Sequence, residues 1–327
     1  MKNIFAFYST YAGYTVFFLT LLLSSCDKAK NNPSPQVRPT VGNSASTGNY
    51  LTFASREEFE EAIHNIDELA PGETIDQHLK LWEEEHGGFY SLRRKHEENA
   101  AQGDSAVSPI NDDYFATMVS PEGTIQIADR IYRLDFEQKR VYHIPAAQAG
   151  ELYEEMIASP SNNQIKYYLF DEPVLDYITT EDQGTPSSQS RLGISLGSGV
   201  SCGNGAEALS DDDEDYLASN KRIKCNVEYQ KFGLYFSLLA KAKYQERFMR
   251  VWWAEDACMT IVPDPGAFWR EKCLTNTNTY NGYISNSCDD NTVVMRYHKS
   301  TRGLNKYQIA VKFRVGNFNS QHYYINQ

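Results

Sequence analysis

The chain has 327 residues, of which 41% are hydrophobic and 23% are charged, and this composition is typical of a globular protein with a core of its own. Its 43 acidic and 31 basic side chains give a formal net charge of -12 at pH 7, and the Lys and Arg residues are not clustered. The charge argues against nucleic acid as a partner, because a phosphate backbone is bound by clustered cations.

The first 25 residues have the organisation of an export signal. Lys2 supplies a positive charge, and residues 14–23 form an apolar segment that only Thr15 and Thr20 interrupt. This segment is too short to cross a bilayer, since a spanning helix needs about 20 apolar residues. We therefore interpret residues 1–25 as a signal peptide that is removed from the mature protein.

The signal ends in the sequence Leu23-Ser24-Ser25-Cys26. This sequence resembles the lipobox of bacterial lipoproteins, in which small residues precede a cysteine that becomes the new N-terminus. The resemblance implies a diacylglycerol on the sulfur of Cys26 and a membrane anchor made of acyl chains. The alternative is an ordinary secretory signal followed by an unmodified cysteine.

Residues 26–50 are expected to form a disordered tether. Hardly any apolar residue follows Ala29 in this stretch, so it cannot bury enough surface to offset the entropy lost on ordering.

The residue directly after the candidate lipidated cysteine is Asp27. An aspartate at this position is an inner-membrane retention signal in enterobacterial lipoproteins but not in other lineages. We expect the protein in the cell envelope at the outer membrane, on its periplasmic or its surface face.

Two amphipathic helices are predicted after the tether. The first follows a capping box formed by Ser55 and Glu58 and covers residues 56–69. Pro71-Gly72 ends it, and the second helix runs from there towards Gly87-Gly88. The apolar residues at helical spacing are Phe59, Ile63 and Ile66 in the first helix and Ile75, Leu79 and Trp82 in the second.

Short strands are predicted beyond residue 114, at 125–127, 131–134 and 141–144. The first helix and this region together are similar to a pattern in uncharacterised Bacteroidetes-type lipoproteins. The similarity is carried by residues 55–69, by Asp-Tyr-Phe-Ala at 113–116 and by Gly-Thr-Ile-Gln-Ile-Ala-Asp-Arg-Ile-Tyr-Arg at 123–133. The similarity implies a location in the cell envelope, and it identifies no catalytic residue.

Asp104-Ser105-Ala106 lies in a polar segment between the helices and these strands. It resembles the short acceptor motif of Bacteroidetes O-glycosylation, and the resemblance implies a glycan on Ser105. A motif of three residues also occurs by chance.

Residues 179–220 are rich in Ser, Gly, Gln and acidic residues and are predicted to be a linker or mobile loop. Ser195 and Ser201 each fit the nucleophile-elbow pattern G-x-S-x-G, with His298 and His322 downstream as candidate bases. The elbow requires a strand before the serine and a helix after it, and the flanking sequence supplies neither. A serine hydrolase is therefore an alternative and not the first hypothesis.

The acidic run at 211–215 could offer oxygen ligands to calcium. The spacing does not fit an EF-hand, because Tyr216 and Arg222 stand where that loop needs glycine and glutamate. A solvated acidic loop is the preferred interpretation, and we predict no metal site and no cofactor.

Residues 221–327 are predicted to form an antiparallel β domain. Apolar and polar residues alternate along 223–229 and 307–315, and further strands are expected at 234–243, 247–253 and 293–297. The predicted fold class is α+β, with the helical pair and short strands in residues 51–178 and a C-terminal antiparallel sandwich or open barrel.

Five cysteines follow the tether, at Cys202, Cys225, Cys258, Cys273 and Cys288. An exported protein is expected to form disulfides, and two bridges with one free thiol is the simplest arrangement. Cys273 and Cys288 would close a short loop and are the expected pair. The alternative is five buried thiols that pack as small hydrophobic groups.

The segment between these two cysteines is a candidate ligand loop, because aromatic rings and amides suit a glycan or a peptide. Its candidate residues are Asn276, Asn278, Tyr280, Asn281, Tyr283 and Asn286. The alternative is an ordinary polar loop whose tyrosines pack on the sheet.

Together these features favour a lipid-anchored cell-envelope protein that is a non-enzymatic binding or accessory protein. One alternative is a secreted serine hydrolase that uses Ser195 or Ser201. Another is a structural envelope or fimbrial subunit, which would need an exposed edge strand for pairing with a neighbour.

Overall fold

The computed structural model describes residues 40–44, 48–70, 72–101, 108–182, 205–280, 282 and 285–327. All of them belong to one compact unit, Val37–Gln327. The fold is α+β, as the sequence predicts: a sheet with helices comes first in the chain, and antiparallel sheets that do not close into a barrel follow.

The N-terminal sheet has six strands that are neighbours in chain order. Its β2–β3 pair is parallel and the other pairs are antiparallel. The strands are β1 (Thr40–Ser44), β2 (Gly48–Phe53), β3 (Thr124–Ile127), β4 (Arg130–Asp135), β5 (Arg140–Pro145) and β6 (Lys166–Leu169). The helices are α1 (Arg56–Asn65), α2 (Ile75–Glu85), α3 (Leu92–Ala101), α4 (Asp113–Met118), α5 (Ala149–Ala158) and α6 (Val174–Asp182).

Two antiparallel sheets form the C-terminal part. One holds β7 (Ser210–Ala218), β8 (Lys221–Lys231), β9 (Phe236–Phe248), β10 (Val251–Ala254) and β15 (Thr292–Ser300). The other holds β11 (Ala257–Pro263), β12 (Phe268–Glu271), β13 (Asn278–Thr279), β14 (Ser285–Asp290), β16 (Leu304–Val315) and β17 (Phe318–Asn326).

The first two helices form where the sequence predicts them. The Ser55 hydroxyl accepts a hydrogen bond from the Glu58 N–H at 3.2 Å, and the Glu58 carboxylate accepts one from the N–H of Ala54. Helix α1 ends at Asn65, before the predicted end at residue 69. Helix α2 begins with a capping box of Thr74 and Gln77 that the apolar pattern does not show.

Helices α3 to α6 and strands β1, β2 and β6 are not predicted from the sequence. Helix α3 shows why, because its sequence Leu-Arg-Arg-Lys-His-Glu-Glu-Asn-Ala-Ala has no apolar stripe. Its buried side chains are Leu92 at the first position and Arg93, whose guanidinium lies 3.2 Å from the Glu83 carboxylate and 2.6 Å from that of Glu97. An ion pair of this kind depends on a partner helix that local sequence does not reveal.

The N-terminal sheet is covered on both faces. One face packs against α1, α2, α4 and α6, and the other packs against α5. The first of these cores also contains Phe232, Leu234 and Tyr235 from the β8–β9 connection. The domain limits inferred from the sequence stay a prediction, but the two sides of residues 179–220 share this core.

The acidic run at 211–215 is a strand and not the predicted solvated loop. It forms most of β7, and the odd-numbered carboxylates turn towards β17. Asp211 accepts a hydrogen bond from the Tyr324 N–H at 2.7 Å, and Asp215 accepts one from the Tyr323 hydroxyl at 2.9 Å. These carboxylates accept hydrogen bonds from donors of β17. The acidic run can form a strand because these partners from a distant segment satisfy its charged side chains.

Most of the predicted C-terminal strands are confirmed, as β8, β9, β15 and β16. The strand predicted over 247–253 is wrong, because a reversal of the chain divides this stretch between β9 and β10. Met249 and Arg250 form that reversal, with φ angles of 47° and 71°.

Glu228 departs from the alternation of β8. The pattern predicts a solvent-facing side chain, but segment 111–113 and its neighbours cover this face of the sheet, and Glu228 is 5% exposed. Its carboxylate accepts a hydrogen bond from the Asn111 amide at 3.1 Å. Burial raises the pKa of Glu228 to about 7, against the smaller opposing effects of Asn111 and Lys241.

Glu228→Gln is expected to change how stability depends on pH. The native pKa lies near 7 and the ordinary value is 4.5, so the ionised side chain costs stability that returns as the pH falls through this window. At pH 8 the variant should be more stable than the wild type by up to about 3 kcal/mol. The difference should shrink below pH 7 and vanish near pH 4.5, as measured by urea unfolding across pH.

The exposed Glu137 provides the matched control. Glu137→Gln should change the free energy of unfolding by less than about 0.5 kcal/mol at every pH. A Glu228→Gln effect of constant size from pH 4 to pH 8 would contradict the raised pKa.

Candidate functional site

A cleft of about 500 Å³ lies between the α1–α2 connection and strands β14 and β15. This volume is in the range of small-molecule binding sites. The α1–α2 connection contributes Asp67, Glu73 and Thr74, and the strands contribute Ser287 and Asp290. The further lining residues used below are Tyr114, Asp289 and Arg296.

Arg296 forms the floor of the cleft from strand β15, with its side chain 4% exposed. Its guanidinium lies 2.9 Å from the Asp67 carboxylate and 3.4 Å from that of Asp112, and it donates a hydrogen bond to the Tyr235 hydroxyl at 2.6 Å. Its central carbon also lies 4.7 Å from the centre of the Tyr114 ring. Burial lowers the pKa of Arg296, but the neighbouring carboxylates outweigh burial and raise it above its ordinary value.

Asp112 joins this floor to helix α4. One carboxylate oxygen accepts a hydrogen bond from the Tyr235 hydroxyl at 2.6 Å. The other accepts hydrogen bonds from the N–H groups of Tyr114 and Phe115 at the start of the helix. Burial raises the pKa of Tyr235 well above its ordinary value, so the phenol stays a hydrogen-bond donor. The floor is therefore a network in which the Arg296 guanidinium, the buried Asp112 carboxylate and the Tyr235 phenol contact one another, and Asp67 links it to a second cation, Lys299.

The carboxylates of the rim are held by backbone donors. Asp290 accepts hydrogen bonds from Ile75 N–H at 2.9 Å and Thr292 N–H at 3.1 Å, which fixes the start of α2 to the β14–β15 turn. The Glu73 carboxylate accepts a hydrogen bond from the Ala70 N–H at 3.0 Å, and this bond is the main reason that the pKa of Glu73 is lowered. For Asp290, burial outweighs its backbone donors and raises the pKa of the carboxyl above its ordinary value. Both groups shape the walls of the cleft.

The cleft is negatively charged. Among the described lining residues, the carboxylates are Asp67, Glu73, Asp289 and Asp290 and the cation is Arg296, while Lys299 next to the lining pairs with Asp67. Within the described parts of the chain, no three His, Cys, Asp or Glu side chains form a group that could hold a metal ion. The lining therefore suits a polar ligand that is neutral or carries a positive charge.

The disulfide predicted between Cys273 and Cys288 is wrong, because Cys288 pairs with Cys258. Strands β11 and β14 are antiparallel neighbours in which Met259 faces Ser287, and this register brings the two cysteines together. Cys273 is disulfide-bonded as well, and Cys225 is a buried free thiol. The bridge joins β14, which forms one wall of the cleft, to its neighbour β11 in the same sheet.

Of the predicted ligand residues between Cys273 and Cys288, those whose side chains are described do not line the cleft, although Ser287, the last residue of that segment, does. Asn276 and Asn278 are exposed, and Tyr280 packs with its ring centre 5.4 Å from that of Tyr297. None of these three side chains lines the cleft. Asn281, Tyr283 and the side chain of Asn286 lie outside the described residues, so the role of the loop stays a prediction.

Other predicted site residues also lie outside the described residues, namely Cys26, Ser105, Ser195 and Ser201. The two histidines of the hydrolase hypothesis are described. The Nε2 of His298 lies 2.9 Å from the Arg302 carbonyl oxygen, and burial lowers its pKa to about 4. His322 is half exposed, 3.4 Å from the Asp264 carboxylate.

Of the helices whose residues are described, none has both the length and the apolar character of a membrane span.

No family model matches the sequence, and no curated protein matches it. Among solved structures, a DUF4848 family protein from Bacteroides thetaiotaomicron aligns with 88% of this chain and 100% of its own, at a TM-score of 0.23 and 10% identity. A superposition this loose assigns neither a family nor an activity to the chain.

Sequence reasoning missed the residues that build the cleft. Arg296 stands within the apolar alternation of a predicted strand, where it reads as an ordinary solvent-facing residue. The one available signal was Asp112, which precedes a short apolar run as helix N-caps do. Its link to Tyr235, more than 120 residues away, has no counterpart in the sequence pattern.

Arg296→Met is expected to lower the free energy of unfolding by about 3 to 5 kcal/mol, because it leaves the buried Asp112 carboxylate without a cation. Urea unfolding at pH 7 measures the change. The control is Arg314→Met on β16, where an exposed guanidinium contacts the Asn319 side chain at 3.1 Å. The control should change stability by less than about 0.5 kcal/mol, and equal losses in both variants would contradict the structural role of Arg296.

Proposed function

We propose that this chain is an exported, lipid-anchored protein of the cell envelope that binds a ligand without transforming it. The observation that carries the binding role is the cleft above Arg296. Arg296 is already paired within the protein through Asp112 and Tyr235, and Asp290 and Glu73 are held by backbone donors of the rim. Because these groups are already paired, the cleft keeps the same shape before and after a ligand binds.

The cleft favours a small polar ligand, neutral or cationic, such as a glycan or a peptide. Four carboxylates against one guanidinium attract positive charge, and the Tyr114 ring on Arg296 adds an aromatic surface to the floor. This site replaces the predicted Asn and Tyr residues of the loop between Cys273 and Cys288 as the first candidate for ligand binding, and it includes only Ser287 from that loop.

The anchor is supported by the N-terminal sequence. Leu23-Ser24-Ser25-Cys26 ends a short apolar segment, and a polar stretch follows it. Two or three acyl chains on one cysteine would hold the protein on a membrane with an effectively permanent attachment. The proposed location is the outer membrane, with the folded unit on its periplasmic or surface side.

Cys26→Ser is expected to abolish the anchor. In cells fed an alkyne analogue of palmitate, the wild type should carry the label and sediment with membranes. The variant should lose the label and remain in the cleared fraction. Protease treatment of intact cells would then tell the surface face from the periplasmic face. A labelled Cys26→Ser variant, or an unlabelled wild type, would contradict the anchor.

Ser287→Trp tests the cleft. Ser287 is half-buried on β14 and lines the cleft, so an indole there should fill part of the space. Glycan and peptide libraries first supply a ligand for the wild type, and calorimetry then measures its affinity. We expect at least a tenfold loss of affinity in the variant.

The matched control is Asn278→Trp on the exposed strand β13, within the loop that the sequence suggested. It should bind the ligand as the wild type does. The opposite result, with binding lost in Asn278→Trp and kept in Ser287→Trp, would assign the ligand to the β13 part of the loop and overturn the cleft. Thermal unfolding of both variants confirms that they fold.

A further inference from the structure

The β9–β10 hairpin ends in a cluster of exposed apolar side chains. We call residues 247–253 the hairpin tip. Its large apolar side chains are Phe248, Met249, Val251 and Trp253, with exposed fractions of 65%, 81%, 52% and 50%. Apolar groups of this size are usually covered, so a cluster of four at the end of one hairpin marks an interaction surface.

The strand register gives the tip two different faces. Phe248 pairs with Val251, and the next pair on the same face places Trp253 opposite Glu246. The other face holds Trp252, whose ring centre lies 4.2 Å from the Arg222 guanidinium and which packs against Tyr216. Trp252 therefore attaches the hairpin to the sheet, and the apolar face of the tip remains exposed.

The turn keeps large side chains at a place that favours small residues. Met249 and Arg250 both have positive φ angles, as the two central residues of a type I′ turn do. Asn-Gly is the usual sequence there, because other residues are strained in this conformation. Met and Arg make the turn less favourable, yet they place an apolar and a cationic group at the end of the hairpin.

The tip is positively charged in an otherwise acidic protein. Arg247 and Arg250 are exposed, and no salt bridge joins either of them to another described residue. The nearby Glu246 is neutralised by Lys221 at 2.6 Å. The tip therefore offers two exposed guanidinium groups, of which that of Arg247 lies over the Trp252 ring at 5.8 Å from its centre, while the whole chain has a net charge of -12.

We propose that the hairpin tip inserts into the surface of a membrane that contains anionic phospholipid. Trp and Phe side chains favour the boundary between headgroups and acyl chains, and guanidinium groups bind lipid phosphates. A narrow tip that projects apolar groups fits a deformable lipid layer better than a flat protein partner. The proposal does not depend on the cleft or on acylation of Cys26, and it describes a second membrane contact.

The experiment uses the mature chain from residue 26 with Cys26→Ser, so that neither the signal segment nor an acyl chain contributes, and vesicles of phosphatidylethanolamine with phosphatidylglycerol. Vesicle flotation gives the partition coefficient, and quenching of tryptophan emission by lipids brominated in their acyl chains reports insertion. The wild-type tip should float with these vesicles and be quenched. Binding to phosphatidylcholine vesicles should be weaker, and Trp253→Phe should remove most of the quenching.

The decisive variant is the double substitution Met249→Asn with Arg250→Gly. It supplies the residues that the turn favours, so thermal stability should be kept or raised. The partition coefficient should nevertheless fall at least tenfold. Arg247→Gln should reduce it about fivefold at low salt, and by much less at high salt. The control is Leu81→Ser, which removes a side chain that is 52% exposed on α2 and should leave binding unchanged.

Three results would overturn the proposal. The first is equal flotation of the wild type and the double variant. The second is binding that is as strong to phosphatidylcholine as to the anionic vesicles. The third is self-association of the wild type without vesicles that the double variant abolishes, because the tip would then be a contact between two copies of the chain.

Discussion

The structure depends on the burial of one positive charge. Arg296 lies on a strand of the C-terminal part, and its partners come from three other places: Asp67 after helix α1, Asp112 before helix α4, and Tyr235 in the β8–β9 connection. Burying a guanidinium is costly unless carboxylates and hydrogen bonds surround it. Because these partners belong to separate segments, the charge can be satisfied only when the helices and the C-terminal sheet are packed together. The cleft is the space above this network.

Acidic side chains have a structural role in the C-terminal part as well. The N–H groups of Gln321 and Tyr324 on β17 donate to Asp215 and Asp211 of the neighbouring strand β7. An edge strand with free N–H groups is what a fimbrial subunit would present to its neighbour. At this edge two of those donors are already used, so the structure gives the fimbrial alternative no support here. The run that looks like a solvated loop or a calcium site therefore serves to cover an edge.

Periodic apolar patterns predicted much of the fold. Ser55 with Phe59 and Ile63 located helix α1, and the alternation from Tyr307 to Phe313 located β16, because both elements bury one face. Elements that are held by polar partners were missed. Helix α3 depends on Arg93 and Glu83, and β7 depends on donors from β17. The disulfide was also missed, because Cys258 and Cys288 meet through a strand register and not through proximity in sequence.

The sequence by itself determined the α+β class, the alternation of the main strands and the acidic balance of the chain. It also contains the lipobox-like segment on which the proposed location in the cell envelope depends. These features are local or additive, so they can be read without knowing which segments meet. Only the tertiary structure decided that Glu228 is buried, that Arg296 lies beneath a cleft and that Phe248, Met249 and Trp253 are left uncovered. The physical reason is the same in each case. Whether a side chain meets water, a charge or a ring depends on segments far away in the chain, and no local pattern records that contact.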